Sequence, residues 1–136
     1  MQNLNPYLTF NGNCREAMTF YHGILGGDIF VQTFGDSPME VTDKEKDQVM
    51  HSSVSSGNIV IMASDSMPDH PVKTGGNVSL SINCSSREEV EKLYNAMVQG
   101  GQATMPLQDT FWDAYFGMLT DKFGIQWMFN YDTPKG

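Results

Sequence analysis

The sequence predicts an α+β fold in which one small β-α-β-β-β unit is written twice. Two observations carry this: an amphipathic helix that recurs in each half, and the same order of strands around each copy. The first helix spans residues 13–27 (NCREAMTFYHGILGG), with Ala17, Phe20, Tyr21, Ile24 and Leu25 at helical spacing. The second spans residues 86–101 (SREEVEKLYNAMVQGG), where Val90, Leu93, Tyr94, Met97 and Val98 repeat the pattern. Each opens on a capping-box pattern, Asn13 with Glu16 and Ser86 with Glu89. Each closes on a glycine pair, Gly26-Gly27 and Gly100-Gly101, able to leave a helix through a left-handed residue.

Along the first half, residues 5–10 (NPYLTF) alternate as a strand, with Leu8 and Phe10 toward the helix and Asn5, Tyr7 and Thr9 away from it. Residues 28–34 form a second strand, and the polar, acidic stretch 35–48 reads as a long exposed loop. Strands at 49–55 and 59–64 are joined by the turn Ser56-Gly57-Asn58 as a hairpin. In the third strand Met50, Ser52 and Val54 are expected toward the helix, leaving Val49, His51 and Ser53 on the other face. A linker at residues 66–76, with two prolines and a glycine pair, leads to the second half. There, strands are expected at 77–83, 102–107, 115–120 and 125–131, with residues 108–114 as a loop. Val78, Leu80 and Ile82 are expected toward the second helix, as is Trp127.

The register of the repeat is direct: Leu8 maps to Leu80 and Asn11 to Asn83 at an offset of 72, Glu16 to Glu89 and Tyr21 to Tyr94 at 73, and Gly27 to Gly101 at 74. Module 1 therefore covers about residues 4–65 and module 2 about 77–132, within one domain of 136 residues. A half of this size buries too little surface alone, so the two are expected to share one structure.

Composition excludes several classes. With 40% hydrophobic residues, eight Phe and ten Met, the chain can fill a core. Its net charge of −8 and pI near 4.6 disfavour nucleic acid and anionic membranes as partners. Two cysteines without a CxxC pattern point to reduced thiols, and the lack of a signal-like or membrane-spanning stretch makes a cytoplasmic location the expectation. No GxGxxG, GxxxxGKS or GxSxG motif occurs.

The phrases PYLTFNGNCREAMTFYHGILGG, HSSVSSGNIVIMASD and TFWDAYFGMLTDKFGIQWMFN together resemble the vicinal oxygen chelate superfamily of glyoxalase I, bleomycin-resistance proteins and extradiol dioxygenases, most nearly its PhnB-like branch. The resemblance implies two modules forming an open eight-stranded bowl with the helices outside, a common homodimeric state, and four metal ligands on the first and last strands of the modules. Those positions correspond here to Asn5 (or, with a one-residue shift, Pro6), Met62, Asn77 and Met128. Two amides and two thioethers offer no anionic or imidazole donor to a hard or borderline cation, so no metal and no cofactor are expected, a soft Cu(I) ion being the conceivable exception. Some relatives carry a demethylubiquinone methyltransferase name, yet no glycine-rich loop for S-adenosylmethionine is present.

Alternation puts Asn5, Tyr7, Thr9, Val60, Met62, Asn77, Ser79, Ser81, Gln126, Met128 and Asn130 on the inner face, neutral and polar. His51 is the best candidate for a catalytic base or hydrogen-bond donor there, whereas His22 and His70 fall on a helix flank and in the linker. The adjacent aromatics Phe111 and Trp112 are expected to cap the pocket, form an interface or plug the core. The candidate ligand-binding set is thus Tyr7, His51, Met62, Asn77, Phe111, Trp112 and Met128. These residues favour a metal-free protein binding a small organic molecule. The alternatives are a metal-dependent lyase, isomerase or dioxygenase of the glyoxalase type, and a structural dimerising module.

Overall fold

A computed structural model describes residues 1–38 and 40–134 and divides the chain into two compact units, Met1–Lys73 and Thr74–Gly136. The fold is α+β, with two helices and eight strands arranged as two tandem modules. In the first unit β1 (Tyr7–Phe10) is followed by α1 (Cys14–Leu25), β2 (Asp28–Thr33), β3 (Val49–Ser56) and β4 (Ile59–Asp65). In the second, β5 (Leu80–Asn83), α2 (Arg87–Met97), β6 (Gln102–Asp109), β7 (Ala114–Thr120) and β8 (Gln126–Asp132) follow in the same order. Each unit has its own four-stranded sheet, ordered β1-β4-β3-β2 and β5-β8-β7-β6. The first and last strands of each unit pair in parallel and the remaining pairs are antiparallel. No helix among the described residues is long and apolar enough to cross a membrane.

The core of the first unit lies between α1 and one sheet face. Cys14, Ala17, Met18 and Tyr21 form the fully buried stripe of the helix, while Phe20, Ile24 and Leu25 are only half-buried flanks. Opposite them Phe10, Ser52, Val54, Ile61 and Ala63 are buried, paired across strands as Ser52 with Ala63 and Val54 with Ile61. Ser52 is satisfied by donating its hydroxyl to Ala63 O at 2.8 Å. In the second unit Val90, Tyr94 and Met97 of α2 meet Leu119, Trp127 and Phe129. The Tyr94 hydroxyl reaches two strand carbonyls, Met105 O at 3.0 Å and Met118 O at 3.1 Å.

The two helix starts are built differently. Ser86 caps α2 as its sequence suggests: its side chain accepts Glu89 N–H at 3.1 Å, and Glu89 accepts Ser85 N–H at 2.9 Å. Asn13 makes no side-chain cap. The buried Asp65 carboxylate does that work, Oδ1 accepting the Gly12 and Cys14 N–H groups at 3.0 and 2.9 Å and Oδ2 accepting Val49 N–H at 2.9 Å. An ionised carboxylate is a stronger acceptor than an amide and also complements the helix dipole, so it displaces the expected cap. In the second unit the buried Asp121 instead fixes the β7–β8 turn, holding Phe123 N–H, Ile125 N–H and the Trp127 indole N–H.

Several strand boundaries and faces depart from the alternation pattern. β1 starts at Tyr7 and β5 at Leu80, so Asn5 and Asn77 precede their strands, and Val78 is 70% exposed rather than turned to α2. β2 and β3 slip register: Gln32 faces His51 but Thr33 faces Val49, which makes Met50 a bulge residue. The bulge returns Val49 to the helix side, where it is fully buried rather than sharing the face of His51. β6 runs on to Asp109, which shortens the expected 108–114 loop to residues 110–113. The described residues of the stretch 35–48 form the largely exposed loop expected, with its ends tied by Phe34 N–H to Gln48 O and Gly35 N–H to Lys46 O.

Candidate functional site

With α1 covering one face of the first sheet, the pairing register decides what stands on the other. Tyr7 on β1 lies beside Met62 on β4, Met62 beside Ser53 on β3, and Ser53 beside Phe30 on β2. His51, two residues along β3 from Ser53, shares this face. Each strand therefore contributes one large side chain: Tyr7, Met62, His51 and Phe30. The Tyr7 and His51 rings stack at 5.8 Å and 27°, and the Phe30 ring stands 6.5 Å from His51 on its other side. The Tyr7 hydroxyl and His51 Nδ1 are 3.2 Å apart. Tyr7 and Phe30 remain 49% and 54% exposed, so these rings form an open apolar wall and not a second core.

Sequence reasoning placed Tyr7, His51 and Met62 on this face, and the fold brings them together. Phe30 is not in that set, because Ile29, Phe30 and Val31 are apolar in succession and alternation alone does not separate their faces; its pairing with Ser53 does.

In the second unit the face turned from α2 carries a methionine row, Met105 beside Met118 and Met118 beside Met128, with Ser81 completing it on β5. Met is flexible and polarizable, which suits it to line an adaptable surface. On the same face Phe116 is buried under Trp112, whose ring meets it at 5.9 Å, and Phe111 stands edge-on to Trp112 at 4.9 Å. The loop that presents them is short and closed by Thr110 N–H to Ala114 O at 2.8 Å, with Asp113 in the left-handed region at φ 61°. Phe111 is 95% exposed and Trp112 51%, so neither plugs the core of its unit.

Asn5 and Asn77, both outside the strands, are not held against Met62 and Met128 by strand pairing. The register also revises the repeat itself. Leu8 pairs with Ala63 and its counterpart Leu80 with Trp127, so Met62 corresponds to Gln126, which accepts a hydrogen bond from Ser79, rather than to Met128. Amide and thioether donors at these positions do not fit a hard divalent ion. Among the described residues no three His, Cys, Asp or Glu side chains gather in one place. The other histidines have local tasks or none: His22 Nε2 meets Gly27 O at 2.9 Å beyond α1, and His70 is exposed. A surface groove of about 460 Å³ lies between Thr42, Lys44 and Glu45 on one side and Met67 and Pro68 on the other, and contains none of the candidate residues.

Neither thiol is poised for chemistry. Burial pushes Cys14 up to about 11, the Ser52 hydrogen bond opposing it and Asp65 adding to it. Burial, with Glu89 nearby, also pushes Cys84 up to about 11. Such thiols stabilise the fold fully below their ordinary 9.0 and lose that contribution as pH rises through about 11, because only the unfolded chain then releases the proton readily. Urea midpoints should therefore fall between pH 9.0 and 11, and a Cys14→Ala/Cys84→Ala variant should show a shallower fall. Equal slopes for the two proteins would refute this.

Comparison with known proteins places this geometry in a family. Residues 2–129 match the family model described as 3-demethylubiquinone-9 3-methyltransferase. Protein YjdN of Escherichia coli K12 is 32% identical over 93% of each chain. Protein PA1353 of Pseudomonas aeruginosa is 44% identical, with a TM-score of 0.90 over 98% of this chain and 100% of that one. A PhnB protein of Bacillus cereus, titled a putative 3-demethylubiquinone-9 3-methyltransferase, is 25% identical, with a TM-score of 0.75 over 96% and 99% of the two chains. Glyoxalase/bleomycin resistance/dioxygenase proteins at 14% to 17% identity share the fold alone. Two tandem β-α-β-β-β modules, a family match along nearly the whole chain and likeness to the PhnB protein structure lead to one conclusion: the chain belongs to the PhnB-like family described as 3-demethylubiquinone-9 3-methyltransferase.

Proposed function

We propose that the protein binds a small organic molecule without a metal, using the first sheet's face of Tyr7, Phe30, His51 and Met62. The observation that carries this reading is that all four strands place a large apolar or ring side chain on the face away from α1, where two of the rings stay about half exposed. Leaving such surface open costs stability unless something covers it. A flat organic ligand would cover it by stacking, with His51 and Tyr7 as its polar contacts.

Neither implied cofactor fits. A metal would meet the amides and thioethers described above. S-adenosylmethionine would need a glycine-lined turn between strand and helix, and in the first unit the Asp65 carboxylate already occupies the N–H groups of the β1–α1 turn. No methyl-transfer step is derived. The same reading takes the chain as a homodimer, for which the exposed Phe111 and Trp112 offer apolar surface and light scattering would give twice 15.2 kDa.

A thermal-shift screen of aromatic acids and amides, with and without chelator, tests the proposal. At ligand concentrations ten times Kd, binding adds about 1.4 kcal/mol, or about 5 °C in Tm, and chelator should not change it. No stabilising compound, or stabilisation only with an added divalent ion, would refute metal-free binding; activity gained with that ion would favour the lyase or isomerase reading.

A further inference from the structure

The Tyr7–His51 contact deepens that reading, on which this inference rests, by fixing what kind of group the ligand must present. Tyr7 Oη lies 3.2 Å from His51 Nδ1, and neither the Tyr7 hydroxyl nor the second ring nitrogen, Nε2, has another hydrogen bond among the described residues. One of two arrangements must hold. Either the phenol donates to Nδ1, which leaves the hydrogen on Nε2, or Nδ1–H donates to the phenol oxygen, which leaves a lone pair on Nε2. The first is the stronger bond. A phenol is a good donor and a poor acceptor because its lone pairs are delocalised into the ring, whereas an imidazole nitrogen is a good acceptor. The Nε2–H form is also the intrinsically preferred neutral tautomer of histidine.

We infer that Tyr7 holds His51 as the Nε2–H tautomer, so that the site selects an aromatic ligand bearing an acceptor oxygen such as a carboxylate. Protonation of the ring does not alter this, since imidazolium also carries a hydrogen on Nε2. His51 is then a donor in both of its charge states. It does not take a proton from a ligand through Nε2, nor offer that atom to a metal. Stacking against Phe30 and Tyr7 supplies the contact area, and the Nε2–H supplies the polarity of recognition.

Two-bond ¹H–¹⁵N correlation spectra of the full chain, recorded well above the pH of imidazole protonation, read the tautomer without any ligand. His51 is expected to show the Nε2–H pattern. Tyr7→Phe, at a half-exposed position, should shift it toward a mixture, which a purely structural tyrosine would not do. Benzoate and benzylamine serve as probes of matched shape and opposite polarity. Benzoate should move the His51 Nε2 resonance and bind about tenfold more weakly to His51→Phe, the loss expected for one hydrogen bond to a charged acceptor. Benzylamine should bind more weakly than benzoate. An Nδ1–H pattern in the unmodified protein overturns the inference while leaving ligand binding itself intact. The expected tautomer with benzylamine bound as well as benzoate, or with benzoate not bound, overturns the acceptor selectivity.

Discussion

Replacing Asp65 with alanine is expected to destabilise the protein by about 4 kcal/mol, because three N–H groups lose a charged acceptor together. The carboxylate is 6% exposed, and its partners belong to the β1–α1 turn (Gly12), the first residue of α1 (Cys14) and the first residue of β3 (Val49). Its own place is at the end of β4, beside Phe10. One side chain thus ties the β1–α1 turn, the helix start and the first residue of β3 to the end of β4. Alanine leaves all three donors facing protein where water is scarce, and removes the negative charge from the N-terminus of α1. Asparagine keeps one acceptor oxygen but turns an NH₂ toward at least one of the donors, so it should recover no more than about half of the loss. Urea unfolding of Asp65→Ala and Asp65→Asn measures this. A cost below about 1 kcal/mol for alanine would show that the carboxylate is dispensable.

Gly27→Ala and Gly101→Ala are expected to cost about 3 kcal/mol or more each, as overpacking against backbone that cannot yield. These residues occupy the same place in the two modules, where the chain leaves a helix and passes close to a neighbouring strand. A Cβ on Gly27 would stand 2.0 Å from Ser55 O, and one on Gly101 would stand 2.2 Å from Thr120 O. Gly27 also has φ +80°, where alanine is strained whatever the space. Gly23 provides the control. It lies within α1 with no atom within 4 Å of an added Cβ, so Gly23→Ala should stabilise by about 0.5–1 kcal/mol through helix propensity. Losses at positions 27 and 101 no larger than about 1 kcal/mol would contradict the close approach.

These sites show why some of the architecture was legible in the sequence and some was not. The helices were readable because their apolar spacing follows from the α-helix period and each copy corroborates the other. The strands were readable by alternation, and alternation failed where a single residue broke it. The Met50 bulge moved Val49 across the sheet, and nothing in VMHSSVSS marks that position. Asp65 and Asp121 look like ordinary acids in a linker and a turn, since their partners are backbone N–H groups and, for Asp121, also the Trp127 indole, which composition does not display. Tyr7, His51 and Met62 were placed on one face from their parity. Their contact with Phe30 and the Tyr7–His51 hydrogen bond depend on the order β1-β4-β3-β2, which parity alone does not give.

The position of β4 and β8 inside their sheets has a consequence for synthesis. Each is the last strand of its unit to leave the ribosome, and each separates two strands made before it. Until it arrives, the opening strand of that half has no neighbour to bond with. All strands of the first sheet are made once Asp65 has emerged, whereas the second sheet must wait for residues 126–132 with unfilled edges on β5 and β7. A chain released without β8 would be left in that state, prone to capture by chaperones or by another unfinished chain.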